Sequence, residues 1–336
     1  MPSEQDHQLA KYLKILGNGP NTSRSLDRDE ARTVMTMVLA GEAEREQLGA
    51  LLMLLRARGE TPEELAGFID AARVYLDIQD VENRPDIDWP TYADRHRQQP
   101  WFILSALLLA ENGHRVLMHG IAGFSEGYAP TRPALAALGI EPVDDMTHAS
   151  RMMDETNFAY VGLESFLPHF EALFHLRPIL GARTFVNTVA RAINPMDAPV
   201  QLVGMFHPNY RSVHGSVAQL SGQNRAAVFK GIGGEIQRNP LKTCRVYSVI
   251  DGEIGEEDWP AIAAISKEKY IWRSEQLEPE RIAELWRGEL DLPVVEASII
   301  GTAAIALKIT SKGDSTQECE SLAQAMWQDR TKSRFG

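Results

Sequence analysis

Apolar residues in the first 78 positions recur at helical spacing. Leu9, Tyr12, Leu13 and Leu16 fall at i, i+3, i+4 and i+7, one face of a helix. Gly17 and Gly19-Pro20 stop it. Asp27, with Glu30 three residues on, reads as the capped start of a second helix with Val34, Met37 and Val38 on its apolar face. A third helix is expected over residues 44–56, ending near Gly59. Thr61-Pro62-Glu63-Glu64 starts a fourth: Thr caps, Pro takes the first helical position, and acids fill the first turn. Four short helices with brief links predict a compact helical domain over residues 1–78.

After residue 79 the pattern changes. Asn83-Arg84-Pro85 and Trp89-Pro90 break helix, and a helix is expected over 101–111, closed by Asn112-Gly113. Residues 114–118 and 157–162 read as short buried strands, with a glycine-containing loop and a helix over 131–138 between them. This is the βαβ grammar of a parallel sheet. Residues 164–180 turn helical again and are expected to join the N-terminal domain in space, through about residue 182. A helix ending at Asn194-Pro195 follows, then strands over 200–205 and 226–230 with a helix between. Residues 245–249 make a further strand, and helices are expected over 278–288, 294–311 and 315–329. The fold class is therefore α/β: a small N-terminal helical domain and a larger α/β domain over 79–336 with a mainly parallel central sheet.

Composition narrows the function. With 336 residues, 44% hydrophobic and 24% charged, the chain fits a folded protein of about two domains. Cys244 and Cys319 are the only cysteines, which argues against a disulfide framework or a cysteine zinc site. No apolar run reaches the roughly 18 residues of a membrane span, and the start MPSEQDHQLAKY has no apolar signal core. The expectation is a cytoplasmic protein without a membrane partner. The formal net charge of −12 argues against a surface positive throughout that coats nucleic acid. That charge is uneven. Residues 177–250 carry nine basic side chains (Arg177, Arg183, Arg191, Arg211, Arg225, Lys230, Arg238, Lys242, Arg245) against Asp197 and Glu235.

Conventional catalytic patterns are weak. His119 follows a strand and is a candidate base, or an ordinary core or loop histidine; no Ser or Cys nucleophile motif lies near it. His169, His175, His207 and His214 lack metal-ligand spacing. Glu126 and Asp144-Asp145 lie on separate expected loops and do not suggest a carboxylate pair.

Residues 183–195, RTFVNTVARAINP, resemble the RTxxNxxGPxxNP signature of anthranilate phosphoribosyltransferase and the family-3 nucleoside phosphorylases, with Ala190-Arg191 in place of Gly-Pro. His119-Gly120 resembles the HGN turn of that family, and LGALLMLLRARGETPEELAGF at 48–68 resembles its helical domain. The resemblance implies the nucleoside phosphorylase/phosphoribosyltransferase fold and a homodimer joined through the helical domains. It also places Asn187, His119, Gly120 and Glu235 in the former substrate cleft. The family's GTGGD loop, which holds the pyrophosphate of phosphoribosyl pyrophosphate (PRPP), has as its counterpart IDWPTYAD at 87–94, without glycine and with a proline. Met118, Ile121 and Ala122 replace the Lys, Asn and Arg of KHGNR, and Gly234-Glu235 stands at the acidic pair that binds magnesium. Three departures at one site imply lost PRPP chemistry and no catalytic or metal-binding residues.

This pattern resembles the YbiB-type paralogues, known as sequence-nonspecific DNA- and RNA-binding proteins. The candidate phosphate contacts are Arg95, Arg97, Arg177, Arg183, Lys230, Gly231, Gly233, Arg238 and Lys242, with the Gly231–Gly234 loop offering backbone amides beside cations. Trp89 and Tyr92 either stack on bases or fill the space of the lost loop. The tail 330–334 is either a mobile basic arm or a solubilising end. The other reading is a phosphoribosyltransferase with an altered phosphate loop, using PRPP and magnesium on an unknown acceptor.

Overall fold

The computed structural model describes residues 7–19, 21–76, 78, 81, 83–93, 98–122, 131–262, 265, 267 and 269–335. Four helices open the chain: α1 (Ala10–Gly17), α2 (Arg28–Leu39), α3 (Arg45–Arg58) and α4 (Pro62–Val74). The expected caps are present. Asp27 accepts from the Glu30 amide while Glu30 accepts from the Asp27 amide, and Thr61 and Glu64 do the same for α4. Each cap satisfies amides that helix geometry leaves unpaired, worth about 1 kcal/mol. The apolar faces of these helices share one core with Leu163, Leu167, Phe170, Phe174, Phe185 and Val189 from the middle of the chain.

Seven strands follow: β1 (Ile87–Thr91), β2 (Val116–Gly120), β3 (Phe158–Gly162), β4 (Val200–Met205), β5 (Arg225–Lys230), β6 (Cys244–Ile250) and β7 (Glu253–Trp259). They lie in the order β3-β2-β1-β4-β5-β6-β7. The first five are parallel, and β6 and β7 form an antiparallel hairpin on the edge. Between strands run α5 (Phe102–Glu111), α6 (Thr131–Ala137), α7 (Met146–Thr156), the short α8 (Leu163–Phe166), α9 (Pro168–Glu171) and α10 (Arg177–Leu180), then α11 (Val186–Ala192) and α12 (Arg211–Leu220). α13 (Arg281–Arg287), α14 (Pro293–Ile309) and α15 (Thr316–Asp329) close the chain. α5 and α14 are apolar nearly all round because they are buried nearly all round, against the sheet and each other. Both cysteines are free and buried. Among the described residues no helix is long and apolar enough to cross a membrane.

Three elements depart from the expectation. Residues 87–91 are a buried central strand. Pro90 is tolerated there for a geometric reason. Ile87 donates to Arg115 on the β2 side, so by alternation Pro90 faces β4, and β1 pairs with β4 only at Ile87 and Asp88. No ladder bond is lost. α7 is an additional helix: Met146, Ala149 and Met153 share a buried face, and Asp145, expected on a loop, caps its start at 2.6 Å from the His148 amide. β7 is an additional strand, hidden in the sequence because most of it is exposed and acidic. The Asp251-Gly252 turn, both residues at positive φ, is its available signal.

Candidate functional site

β1 is where the strand order reverses: β2 and β3 lie on one side of it, β4 and β5 on the other. Crevices form at the carboxyl ends of strands at such a point. The parting of β1 from β4 after Asp88 opens this one.

The first layer beneath the crevice is polar and sealed. Gln201 donates to Asp88 at 2.9 Å, Asp88 meets His119 Nε2 at 3.0 Å, and His119 Nδ1 lies 2.7 Å from the Tyr92 hydroxyl. All four side chains are buried. Burial drives the Tyr92 hydroxyl well above its usual range. His119 is thus a core residue in a satisfied chain, out of reach of a substrate. Trp89 faces the main core and Tyr92 is enclosed, so neither is a stacking platform.

The second layer is a clamp. Arg183 donates to the Ala93 carbonyl, Asn187 donates to the Tyr92 carbonyl at 2.9 Å, and Glu235 accepts from the Ala93 amide at 2.7 Å. Asn187 and Glu235, assigned to the former substrate cleft, and Arg183, assigned to phosphate, thus hold the backbone of residues 92–93. Gly120 completes the fit: a Cβ there would stand 2.3 Å from Thr91 Oγ1.

The Gly231–Gly234 turn is spoken for in the same way. The amides of Gly231, Ile232, Gly234 and Glu235 donate to Met205, Gln237, Gly231 and Ile232. A Cβ on Gly231 would lie 1.5 Å from the Glu235 carbonyl, so glycine serves close packing at this position. Gly233 has φ +66 and lines the crevice. The expected phosphate cradle is corrected for Gly231, whose amide is one of four already donating within the fold; Gly233 is not among those donors.

An open cleft of about 1050 Å³ lies past the carboxyl ends of β4 and β5. Arg177, Arg211, Lys230, Lys242, Arg245 and Arg273 line it, with Asp258 the only carboxylate among its described lining residues. Arg245 is paired with Asp258 at 2.7 Å. Phe206, Tyr270 and Trp272 add aromatic walls. A smaller cavity of about 580 Å³ adjoins it through Arg177, Phe206 and Gly233, and contains Arg183, Asn187 and Arg191.

Two basic assignments are corrected. Arg238 is 0% exposed: its guanidinium bonds Glu320 at 2.5 Å and the Pro260 carbonyl at 2.6 Å, and lies over Trp259. It is a core residue. Arg225, one of the nine basic residues counted, is turned away to the Ile309 carbonyl at 3.1 Å. The tail is no loose arm. Arg330 stacks 3.7 Å from the Trp327 ring centre and donates to Trp286 and Trp327, and residues 332–335 form a helical turn. Arg95, Arg97 and Glu126 lie outside the described residues. Sequence reasoning missed Arg273, Phe206, Tyr270, Trp272 and, in the smaller cavity, Arg56. Arg273 belongs to the segment 251–336, which is acidic overall with 10 basic and 17 acidic side chains, and so was not counted with the basic stretch.

Among the described residues, no three His, Cys, Asp or Glu side chains converge as a metal site. Two domain families match the chain: the glycosyl transferase family helical bundle domain over residues 10–74 and the glycosyl transferase family α/β domain over residues 103–329. The chain is 29% identical over 249 residues to the uncharacterized protein YbiB of Escherichia coli (strain K12), covering 72% of this chain and 76% of that protein. It is 26% identical over 306 residues to the anthranilate phosphoribosyltransferase of Serratia proteamaculans (strain 568), covering 89% and 90%. The crystal structure of anthranilate phosphoribosyltransferase from Thermus thermophilus superposes with a TM-score of 0.80 at 23% identity, over 95% of this chain and 94% of that one. That superposition establishes the shared fold.

Proposed function

The chain belongs to the glycosyl transferase family that these two domains define, and from that premise we propose that it is a non-catalytic, sequence-nonspecific nucleic-acid-binding protein. The observation that carries this reading is the basic cleft past the carboxyl ends of β4 and β5. Six basic side chains line it against one carboxylate, and that carboxylate is already paired with Arg245. A site of this charge, open along one face, suits a polyanion held by its phosphates. Phe206 and Trp272 on the walls suit unpaired bases, which stack on aromatic rings without regard to sequence.

The same site suits PRPP and magnesium poorly. The segment matched by resemblance to the family's phosphate loop, residues 87–94, has no glycine, and its residues 87–91 are a buried strand, which speaks against a diphosphate cradle there. The backbone of Tyr92 and Ala93 takes up Arg183, Asn187 and Glu235. Glu235 is 1% exposed and the preceding residue is glycine, so the pair of carboxylates a magnesium–diphosphate complex calls for is lacking. No cofactor is part of this reading, and a homodimer is.

Fluorescence anisotropy with labelled single-stranded and duplex DNA and RNA of unrelated sequences tests it. Affinities should agree among sequences and fall steeply as salt rises from about 50 to about 200 mM. Absence of binding at the lowest salt refutes the proposal. Calorimetry with PRPP and magnesium tests the non-catalytic half, which micromolar binding would overturn. Sedimentation should give twice the mass of one chain.

A further inference from the structure

Arg191 carries a buried charge with no hydrogen-bonded or ion-paired partner among the described residues. The family signature has proline at this position. Here a guanidinium on α11 is 8% exposed and makes no hydrogen bond or ion pair among the described residues. Burial lowers its pKa, opposed by the charge of Glu235. A buried cation without a partner is strongly unfavourable, so such a side chain points to a ligand that supplies the partner.

The guanidinium lines the 580 Å³ cavity beside Arg56, Arg177 and Arg183. Glu60 is the only carboxylate among that cavity's described lining residues. A second observation comes from His214. It is 3% exposed, lines the same cavity, and its Nδ1 has no hydrogen-bond partner. Burial and the neighbouring Arg191 push its pKa down to about 3, so the ring is neutral and has one nitrogen to offer an anion as a donor.

We propose that this cavity is a binding site for a phosphomonoester dianion seated on Arg191. A terminal phosphate offers three acceptor oxygens, enough to meet both Arg191 and His214, where a simple carboxylate offers two. Recession of the guanidinium selects a terminal phosphate, whose three unsubstituted oxygens reach inward, over a phosphodiester with a sugar on both sides. The dianion has two sources, a free small phosphate or the 5′-phosphate at a strand end. The proposal is independent of the strand-binding reading.

The test is calorimetric titration of the wild type, Arg191→Gln and Arg191→Lys with inorganic phosphate, adenosine 5′-monophosphate and adenosine, at about pH 7.5, where the second phosphate proton of pKa near 6 is lost. Phosphate and the monophosphate should bind and adenosine should not. Arg191→Gln should weaken binding at least about tenfold, with Arg191→Lys between. The monophosphate should raise the melting temperature of the wild type and leave that of Arg191→Gln unmoved. Arg191→Gln itself should melt no lower than the wild type, because an unpaired buried charge is gone. Should that variant fail to fold, wild-type affinity at about pH 5 decides, since loss of the dianion should weaken it about tenfold.

Equal binding of adenosine and its monophosphate, no wild-type binding at millimolar ligand, or unchanged affinity in Arg191→Gln each overturns the site. A 5′-phosphorylated oligonucleotide compared with its 5′-hydroxyl twin separates the sources. A preference that Arg191→Gln abolishes assigns the strand end, and equal affinities with monophosphate binding intact assign the free ligand. Phosphate binding without any strand binding would refute the reading of the open cleft and leave this site standing.

Discussion

Replacing Lys230 and Lys242 together with alanine isolates the electrostatic role of the cleft. Lys230 ends β5 and Lys242 precedes β6; both are exposed, and neither makes an ion pair among the described residues. Their loss should change stability by no more than about 0.5 kcal/mol. Six cations line the cleft and Arg245 is already paired with Asp258, which leaves at most five to neutralise phosphates. With all five engaged, the log–log dependence of affinity on salt has a slope of about −4.5 on duplex DNA and about −3.5 on a single strand. Removing two contacts brings these to about −2.7 and −2.1. Between about 50 and 200 mM salt the wild type should then lose about 500-fold in duplex affinity and the variant about 40-fold. Anisotropy at four salt concentrations, with a melting curve as folding control, measures both. An unchanged slope with weaker binding would refute phosphate neutralisation at this cleft. Arg183 is a poorer choice of target, because its guanidinium also holds the Ala93 carbonyl.

Other sites give sharper tests of the interior. Tyr92→Phe removes the hydroxyl 2.7 Å from His119 Nδ1 and should cost about 1–3 kcal/mol in urea unfolding while strand binding stays unchanged. Gly120→Ala drives a Cβ to 2.6 Å from the Thr91 backbone oxygen and should cost about 1–3 kcal/mol, whereas Gly113→Ala, at φ +86 with open space around it, should cost about 1 kcal/mol. Thermal melts of the two variants side by side check this ordering. Burial lowers the folded pKa of His214 from 6.5 to about 3, so the unfolded chain takes up the proton first as pH falls. Its stabilising contribution is complete above about pH 6.5 and is lost toward pH 3, with about 2 kcal/mol gone by pH 5. Urea midpoints should show that loss in the wild type and a flatter profile in His214→Asn. Arg238→Met strips Glu320 and the Pro260 carbonyl of their partner and should cost on the order of 3 kcal/mol, read in the same urea assay.

Local grammar was legible where local chemistry decides. Asp27 with Glu30, and Thr61 with Glu64, form their caps because donor and acceptor lie within one turn. Pro90 defeated that reading. Whether a proline breaks a strand depends on which neighbour its nitrogen faces, and β4 joins the sheet more than a hundred residues later. Arg238 and Lys242 make the same point within the site. Four residues apart in one basic stretch, one is sealed between Trp259 and Glu320 and the other lines the open cleft. The partners that separate them come from β7 and α15, so no window around either residue holds the answer. Arg273 is the reverse case, a cation from a segment acidic overall that the fold brings to the basic wall.

The net charge of −12 and the basic cleft are compatible because electrostatic reach is short. At about 0.1 M salt the screening length is about 10 Å, so a phosphate in the cleft responds to the cations lining it far more than to acids elsewhere on the surface. An acidic edge borders the cleft at β7, where Glu253, Glu256, Glu257 and Asp258 stand among few apolar residues and Asp258 lines the cleft itself. β7 pairs with β6, and Arg245 of β6 is bound to Asp258 of β7, so the acidic edge meets the cleft through a neutralised pair. Lowering the salt lengthens the reach of both fields at once. The cleft then attracts more strongly while the acidic edge repels strand that overruns it, so the number of nucleotides bound should be set by the cleft and change little with salt.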